Sequence, residues 1–328
     1  MIGNSCLAFA LFVTLPVAVR SAEFVTIDCL NGTQNQAVGI NNHNWVVGTC
    51  LLDNITRSFY RTTNGVVHVF TVDTAQTYAT DINDSNVIVG YYATQKTAYQ
   101  GFLYASGVTA DIDYPGATFT QPFAINAAGA VTGLFGDSAG FHGFVRDANG
   151  NFTSFDPPGS AYTVPRSINA SGEVAGFFYN GSAATQGFVR DSLGNITVFS
   201  VPNALATTAF QINDAGAIVG WWEPANGSIY AQGYTRDPSG NFSTFGTHPQ
   251  GNTYSLSMNG SGEVTGYGTD GASANTYFGF IQSGSTTPLD FSDPSAVNIT
   301  EAAKINNGGV VVGWYSDGTI SHGFARIP

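Results

Sequence analysis

Short runs rich in apolar and β-branched residues, separated by Gly, Asn, Ser and Pro, fill the chain, and hardly any stretch shows the spacing of a helix. Residues 163–199 show the unit clearly. Thr163–Asn169, Glu173–Phe178, Thr185–Asp191 and Asn195–Ser200 read as four consecutive strands. An Asn, usually after Ile, is followed seven residues later by Gly in Asn41/Gly48, Asn83/Gly90, Asn126/Gly133, Asn169/Gly176, Asn213/Gly220, Asn259/Gly266 and Asn306/Gly313. Successive Asn residues lie 42, 43, 43, 44, 46 and 47 positions apart, the period that a four-stranded propeller blade needs. The pattern predicts an all-β, seven-bladed β-propeller of four-stranded antiparallel blades, starting near residues 34, 77, 120, 163, 207, 253 and 300.

Three residues after each Asn stands Asn44, Asn86, Gly129, Gly172, Gly216, Gly262 or Gly309. Only residues that tolerate positive φ occupy this column, so it predicts the left-handed residue of a short hairpin. Five after the Asn is always Val or Ile, and the Gly two further on lies on the same strand face. That alternation predicts close approach of the neighbouring sheet at the Gly. Bulky pairs such as Phe177–Phe178, Trp221–Trp222 and Trp314–Tyr315 follow, which predicts sheets covered on both faces.

The last copy stops at Pro328, one strand short, whereas Phe24–Asp28 precedes the first copy and resembles the fourth strand Phe152–Asp156. The economical arrangement pairs residues 24–28 with 324–327 and makes residues 23–328 one closed domain. Cys29 and Cys50 then end on one face of adjacent blades, either as a disulfide across the seam or as two buried thiols.

Composition narrows the function. Asp, Glu, Lys and Arg make up 10% of residues, and the net charge is −12. The basic residues are scattered, which argues against nucleic acid and anionic membranes as partners. Residues 1–22, with an apolar run from Cys6 to Val19, read as a secretory signal too short to span a bilayer. The expected product is a monomer, secreted, periplasmic or at the cell surface, with no membrane insertion after cleavage.

The repeat Ile-Asn-x-x-Gly-x-Val-x-Gly, with His142–Phe144 and His322–Phe324 reading His-Gly-Phe, resembles the bacterial extracellular HAF repeats. The resemblance covers residues 24–328 and departs at the tripeptide itself, where Gly replaces Ala. It implies export and a propeller-like fold, and brings no catalytic residues. Gln100, Gln186, Gln232 or Phe278 takes the His place in other copies, which suggests a structural hydrogen-bonding position.

No metal-ligand spacing, nucleophile elbow or phosphate loop occurs, so no metal and no cofactor is expected. The repeated pairs Arg146–Asp147, Arg190–Asp191 and Arg236–Asp237 read as scaffold. Blade-specific residues on the inner strands point instead to a channel-mouth site: Asp81, Arg166, Tyr254, Glu301 and Lys304, with Trp222 and Trp314 as stacking platforms. Three functions fit these residues. The first is a non-enzymatic propeller presenting a face to a glycan or protein. The second is a polysaccharide hydrolase or lyase using carboxylates among Glu301, Asp81 and Asp113. The third is a structural cell-surface component.

Overall fold

The structure, a computed structural model, describes residues 22–93, 98–181, 184–225, 227–271, 276–284 and 286–328. Apart from Ala22, the expected leader lies outside the described residues. Every regular element among them is a β-strand.

The strands fall into antiparallel sets. Thr33–Ile40, Val46–Leu52, Ile55–Arg61 and Val67–Phe70 form the first. Further sets begin at Gln76, Phe119, Tyr162, Ala204, Thr253 and Ile299. Single parallel bridges, Phe141 to Tyr162 and Tyr277 to Ile299, link two pairs of neighbouring sets. In the last set Ser321–Ile327 pairs antiparallel with Glu23–Ile27, bringing Phe24 opposite Arg326 and Ile27 opposite Gly323. Cys29, just beyond that N-terminal strand, is disulfide-bonded to Cys50 in the first set, with Cα atoms 6.3 Å apart. One segment is thus held both to the last sheet and to the first.

His322 adds a second fastening. Its Nδ1 lies 2.6 Å from Asp28 Oδ2 and its Nε2 3.3 Å from Asp317 Oδ2. Burial lowers the imidazole pKa, but the two carboxylates outweigh it and raise the value. His142 repeats the arrangement with Asp156 at 2.6 Å and Asp137 at 3.4 Å. Gln100 Nε2 donates to Asp113 at 3.2 Å from the same repeat position. Each ties the third strand of a set to the end of the fourth.

The hairpin column has the expected conformation. Asn44, Asn86, Gly129, Gly172, Gly216, Gly262 and Gly309 all have φ between +59° and +86°. The Asn that starts each hairpin does two jobs. Its Oδ1 accepts backbone N–H groups of its own turn, as Asn213 does from Ala215 and Ala217 at 3.1 and 3.0 Å. Its Nδ2 donates to the carbonyl of the next Asn along the chain. The links Asn41 to Asn83, Asn83 to Asn126, Asn126 to Asn169 and Asn169 to Asn213 measure 3.0, 3.1, 3.0 and 3.1 Å. Asn213 to Asn259, Asn259 to Asn306, and Asn306 back to Asn41 measure 3.3, 3.2 and 3.0 Å. All seven side chains are buried.

The repeated Gly is required for a different reason from the expected one. A Cβ on Gly176 would lie 2.2 Å from the Val164 carbonyl and 2.8 Å from the Phe188 ring, both within its own sheet. The other six have a first-strand carbonyl equally close. The cause is a β-bulge: register shifts interrupt every first strand, for example between Pro165 and Ser167. The aromatic ring opposite each Gly, Phe59, Phe102, Phe144, Phe188, Tyr234, Phe280 or Phe324, then packs over it at 0% exposure.

Candidate functional site

The bulge decides what faces the centre. The extruded residues are Val38, Thr80, Phe123, Arg166, Phe210, Leu256 and Ala303, and all seven line one central cavity of about 400 Å³. A bulge turns an extra side chain out of the pleat, so this column faces the cavity, although Val38 still packs on the second set and Thr80 donates to the Pro122 carbonyl at 3.1 Å.

Arg166 is the charged member. Its guanidinium lies 5.3 Å from the Phe123 ring centroid and 4.6 Å from that of Phe210. Its Nε is buried without a hydrogen-bond partner, and among the described residues no carboxylate forms an ion pair with it. Burial lowers the pKa of this guanidinium.

Towards the Asn hairpins the cavity is crossed by polar ties. Lys304 Nζ donates to Asp81 Oδ1, and Asp81, 4% exposed, also accepts the Ile125 N–H at 3.2 Å. The pair spans the intervening set beside Gly39, where a Cβ would meet Val47 Cγ2 at 2.8 Å and touch Asp81 Oδ1 at 3.6 Å. Gln211 and Ser257 likewise accept N–H groups of the following set at 2.9 and 3.1 Å. Asp81 and Lys304 are thus tied to each other, and both line the cavity of about 170 Å³ at the Asn-hairpin end.

The opposite end is aromatic. Tyr78 stands across from Tyr91, Tyr254 from Tyr267, and Glu301 from Trp314. Trp221 meets Tyr254 edge-on at 5.4 Å, and Tyr254 meets Tyr267 at 5.0 Å. Trp314 and Tyr254 lie in these cross-strand pairs, whereas Trp222 lies on the other strand face. It packs on the core cluster of Ile212, Ile218 and Tyr234, and Trp221 faces the mouth in its place. Burial raises the Glu301 pKa to about 7, opposed by a hydrogen bond from Trp314.

Beside this end lies a cavity of about 910 Å³ walled by Tyr78, Tyr99, Phe119, Phe141 and Tyr162, with Asn54, Gln76 and Gln121. Phe119 and Phe141 are 5.5 Å apart, and Phe141 and Tyr162 4.5 Å. Neither Phe119 nor Phe141 was singled out from the sequence.

The three carboxylates considered for hydrolysis take separate roles. Asp81 is bound to Lys304, Asp113 accepts the Gly101 N–H at 3.0 Å beside an outermost strand, and Glu301 is at the mouth. Among the described residues no cluster of His, Cys, Asp and Glu could hold a metal ion.

No protein-family model matches the chain, and no curated protein matches it. Solved structures do. Virginiamycin B lyase from Staphylococcus aureus superposes with a TM-score of 0.64 at 13% identity, covering 94% of this chain and 100% of that one. Oligogalacturonate lyase from Vibrio parahaemolyticus gives 0.65 at 10% identity, covering 94% and 98%. The β-propeller domain of the Trilobed protease from Pyrococcus furiosus gives 0.68 at 9% identity, covering 90% and 96%. At such identities the likeness speaks for the fold alone. The chain is an all-β protein with the fold of a β-propeller.

Proposed function

We propose that the chain is an exported, closed seven-bladed propeller, of HAF-repeat type, that binds carbohydrate without transforming it. The observation that carries this reading is the cavity of about 910 Å³ in which Tyr99, Phe119, Phe141 and Tyr162 offer ring faces beside the amides of Gln76 and Gln121. Aromatic faces take the apolar faces of a sugar ring, and amides meet its hydroxyls. The Cys29–Cys50 disulfide agrees with an oxidising compartment outside the cytoplasm.

Titration calorimetry with neutral and acidic oligosaccharides tests the reading. Phe141→Ala and Tyr162→Ala should each weaken binding by about tenfold or more, as central aromatic contacts do. Binding indifferent to both changes, or absent for every sugar, refutes it.

One observation favours a second reading. A carboxyl group with a pKa of about 7 is suited to proton transfer at neutral pH, and Glu301 is such a group. Two of the similar structures are named lyases. On this reading the mouth would be an elimination site with Glu301 as its acid or base. Turnover of a bound oligosaccharide, lost in Glu301→Gln with binding retained, would establish it.

A further inference from the structure

We propose that the carbohydrate carries a carboxylate, and that Arg166 in the channel neck binds it; this rests on the carbohydrate reading above. Arg166 projects from a bulge into the cavity of about 400 Å³. The other charged pair there, Lys304 with Asp81, neutralises itself. The remaining bulge residues carry no charge, so Arg166 leaves one uncompensated positive charge in the neck.

Arg166 is the arginine that lines this cavity; the other described arginines lie elsewhere, Arg326 over the Phe291 ring with its own Nε also unpaired. Arg146, Arg190 and Arg236 donate to backbone carbonyls and lie over Phe rings at the sheet edges. Arg57 pairs with Asp53, and Lys304 with Asp81. Arg166 has aromatic rings instead of an anion, and its Nε has no acceptor. Rings attract a cation but supply no oxygen for its N–H donors. A half-buried cation that faces a cavity with no anion beside it is placed to bind an anionic ligand. The planar fork of a guanidinium matches a carboxylate in two parallel hydrogen bonds.

Direction and size follow from the layers. The cavity at the Asn-hairpin end, lined by Lys304 and Asp81, holds about 170 Å³ against about 400 Å³ for the one that Arg166 lines, so the aromatic end offers the roomier approach. Gln36, Tyr78 and Tyr91 line the cavity between that end and Arg166. A pyranose ring lying against Tyr78 and Tyr91, with Gln36 at its hydroxyls, would direct a carboxylate in place of its hydroxymethyl group towards the guanidinium. The ligand class is a uronic acid at the end of an oligosaccharide.

The test compares D-glucuronate with D-glucose, each as monomer and as the terminal residue of an oligosaccharide, on wild type, Arg166→Met and Arg166→Lys. Wild type should prefer the glucuronate forms at least tenfold, a preference that weakens with salt. Arg166→Met should bind both forms equally, and Arg166→Lys should fall between. The melting temperature of Arg166→Met should hold or rise, because an unpaired charge is removed; a marked fall would assign Arg166 a purely structural role and overturn the proposal. Equal binding of the two sugars by wild type overturns this inference and leaves the carbohydrate reading intact. Acetate or inorganic phosphate bound through Arg166, with no sugar bound at all, sinks the carbohydrate reading and the acidic-sugar assignment with it.

Discussion

Replacing Asn306 with Ala removes the link that returns the asparagine circuit to its start. The side chain donates to the Asn41 carbonyl at 3.0 Å and to Asn44 Oδ1 at 2.8 Å. It accepts from the Gly308 and Val310 N–H groups, both at 3.0 Å. Asn44 and Gly308 are exposed, so water replaces those two partners. The Asn41 carbonyl still accepts the Asn44 N–H, whereas the buried Val310 N–H is left without an acceptor. Two net hydrogen bonds at about 1 kcal/mol each, plus about 1–2 kcal/mol for the orphaned donor, give a loss of roughly 3–4 kcal/mol. For a domain of this size, with an unfolding entropy of about 2.1 cal/mol/K per residue, that lowers Tm by about 5–6 °C.

Asn306→Asp separates the two roles. It keeps the acceptor and turns the donor into an oxygen facing the Asn41 carbonyl, so the folded-state pKa of the new carboxyl lies above its unfolded value of about 3.9. The charged form then carries the penalty. The variant's deficit against wild type should be largest at neutral pH and shrink as pH falls through that raised value. Urea denaturation and calorimetry at pH 4 and pH 7 measure both variants. An Asn306→Ala loss below about 0.5 kcal/mol, or an Asp deficit that grows on acidification, refutes the role given to the circuit.

Three further outcomes follow from separate features. Gly176→Ala, whose Cβ would meet the Val164 carbonyl at 2.2 Å, should cost about 3 kcal/mol or more, whereas Gly181→Ala at φ +87° in open space should cost only about 1 kcal/mol of backbone strain; equal costs in denaturation would contradict the bulge account. The raised His322 pKa contributes stability that is complete below about pH 6.5 and lost as pH rises through the folded value, so the melting temperature of wild type should fall on alkalinisation relative to His322→Gln. Glu301, with a pKa of about 7 beside Trp314, should give a tryptophan fluorescence transition near neutral pH that disappears in Glu301→Gln and in Trp314→Phe. A transition surviving both changes would place the titrating group elsewhere.

Period, strand count and hairpin conformation were legible in the sequence because each is written in local spacing. A residue three after Asn that is only ever Gly or Asn states its φ outright, and the φ values agree. The double role of the Asn was not legible. Its Nδ2 acceptor lies 42 to 47 residues ahead, and no local pattern encodes such a partner. The Gly column misled for a related reason: lack of a side chain signals crowding but not its source, here a bulged carbonyl and a ring of the same sheet.

The site was half legible. The variable column before the Asn pointed to the channel, but that Arg166 is extruded by a bulge is a matter of register rather than composition. Asp81 and Lys304 were each visible, yet their pairing across Gly39 needs the curvature that brings non-adjacent sets together. Strand parity settles that one residue of Trp221–Trp222 faces the core, without saying which. The register of the sheet decides for Trp222.

Amide hydrogen exchange across residues 22–30 tests ring closure by the N-terminal strand most directly. With Glu23–Ile27 paired to Ser321–Ile327, the amides that donate to that strand should exchange as slowly as those of the outer strand Phe152–Phe155. Exchange of the whole segment at the rate of an unstructured peptide, while Phe152–Phe155 stays protected, would contradict the closed ring.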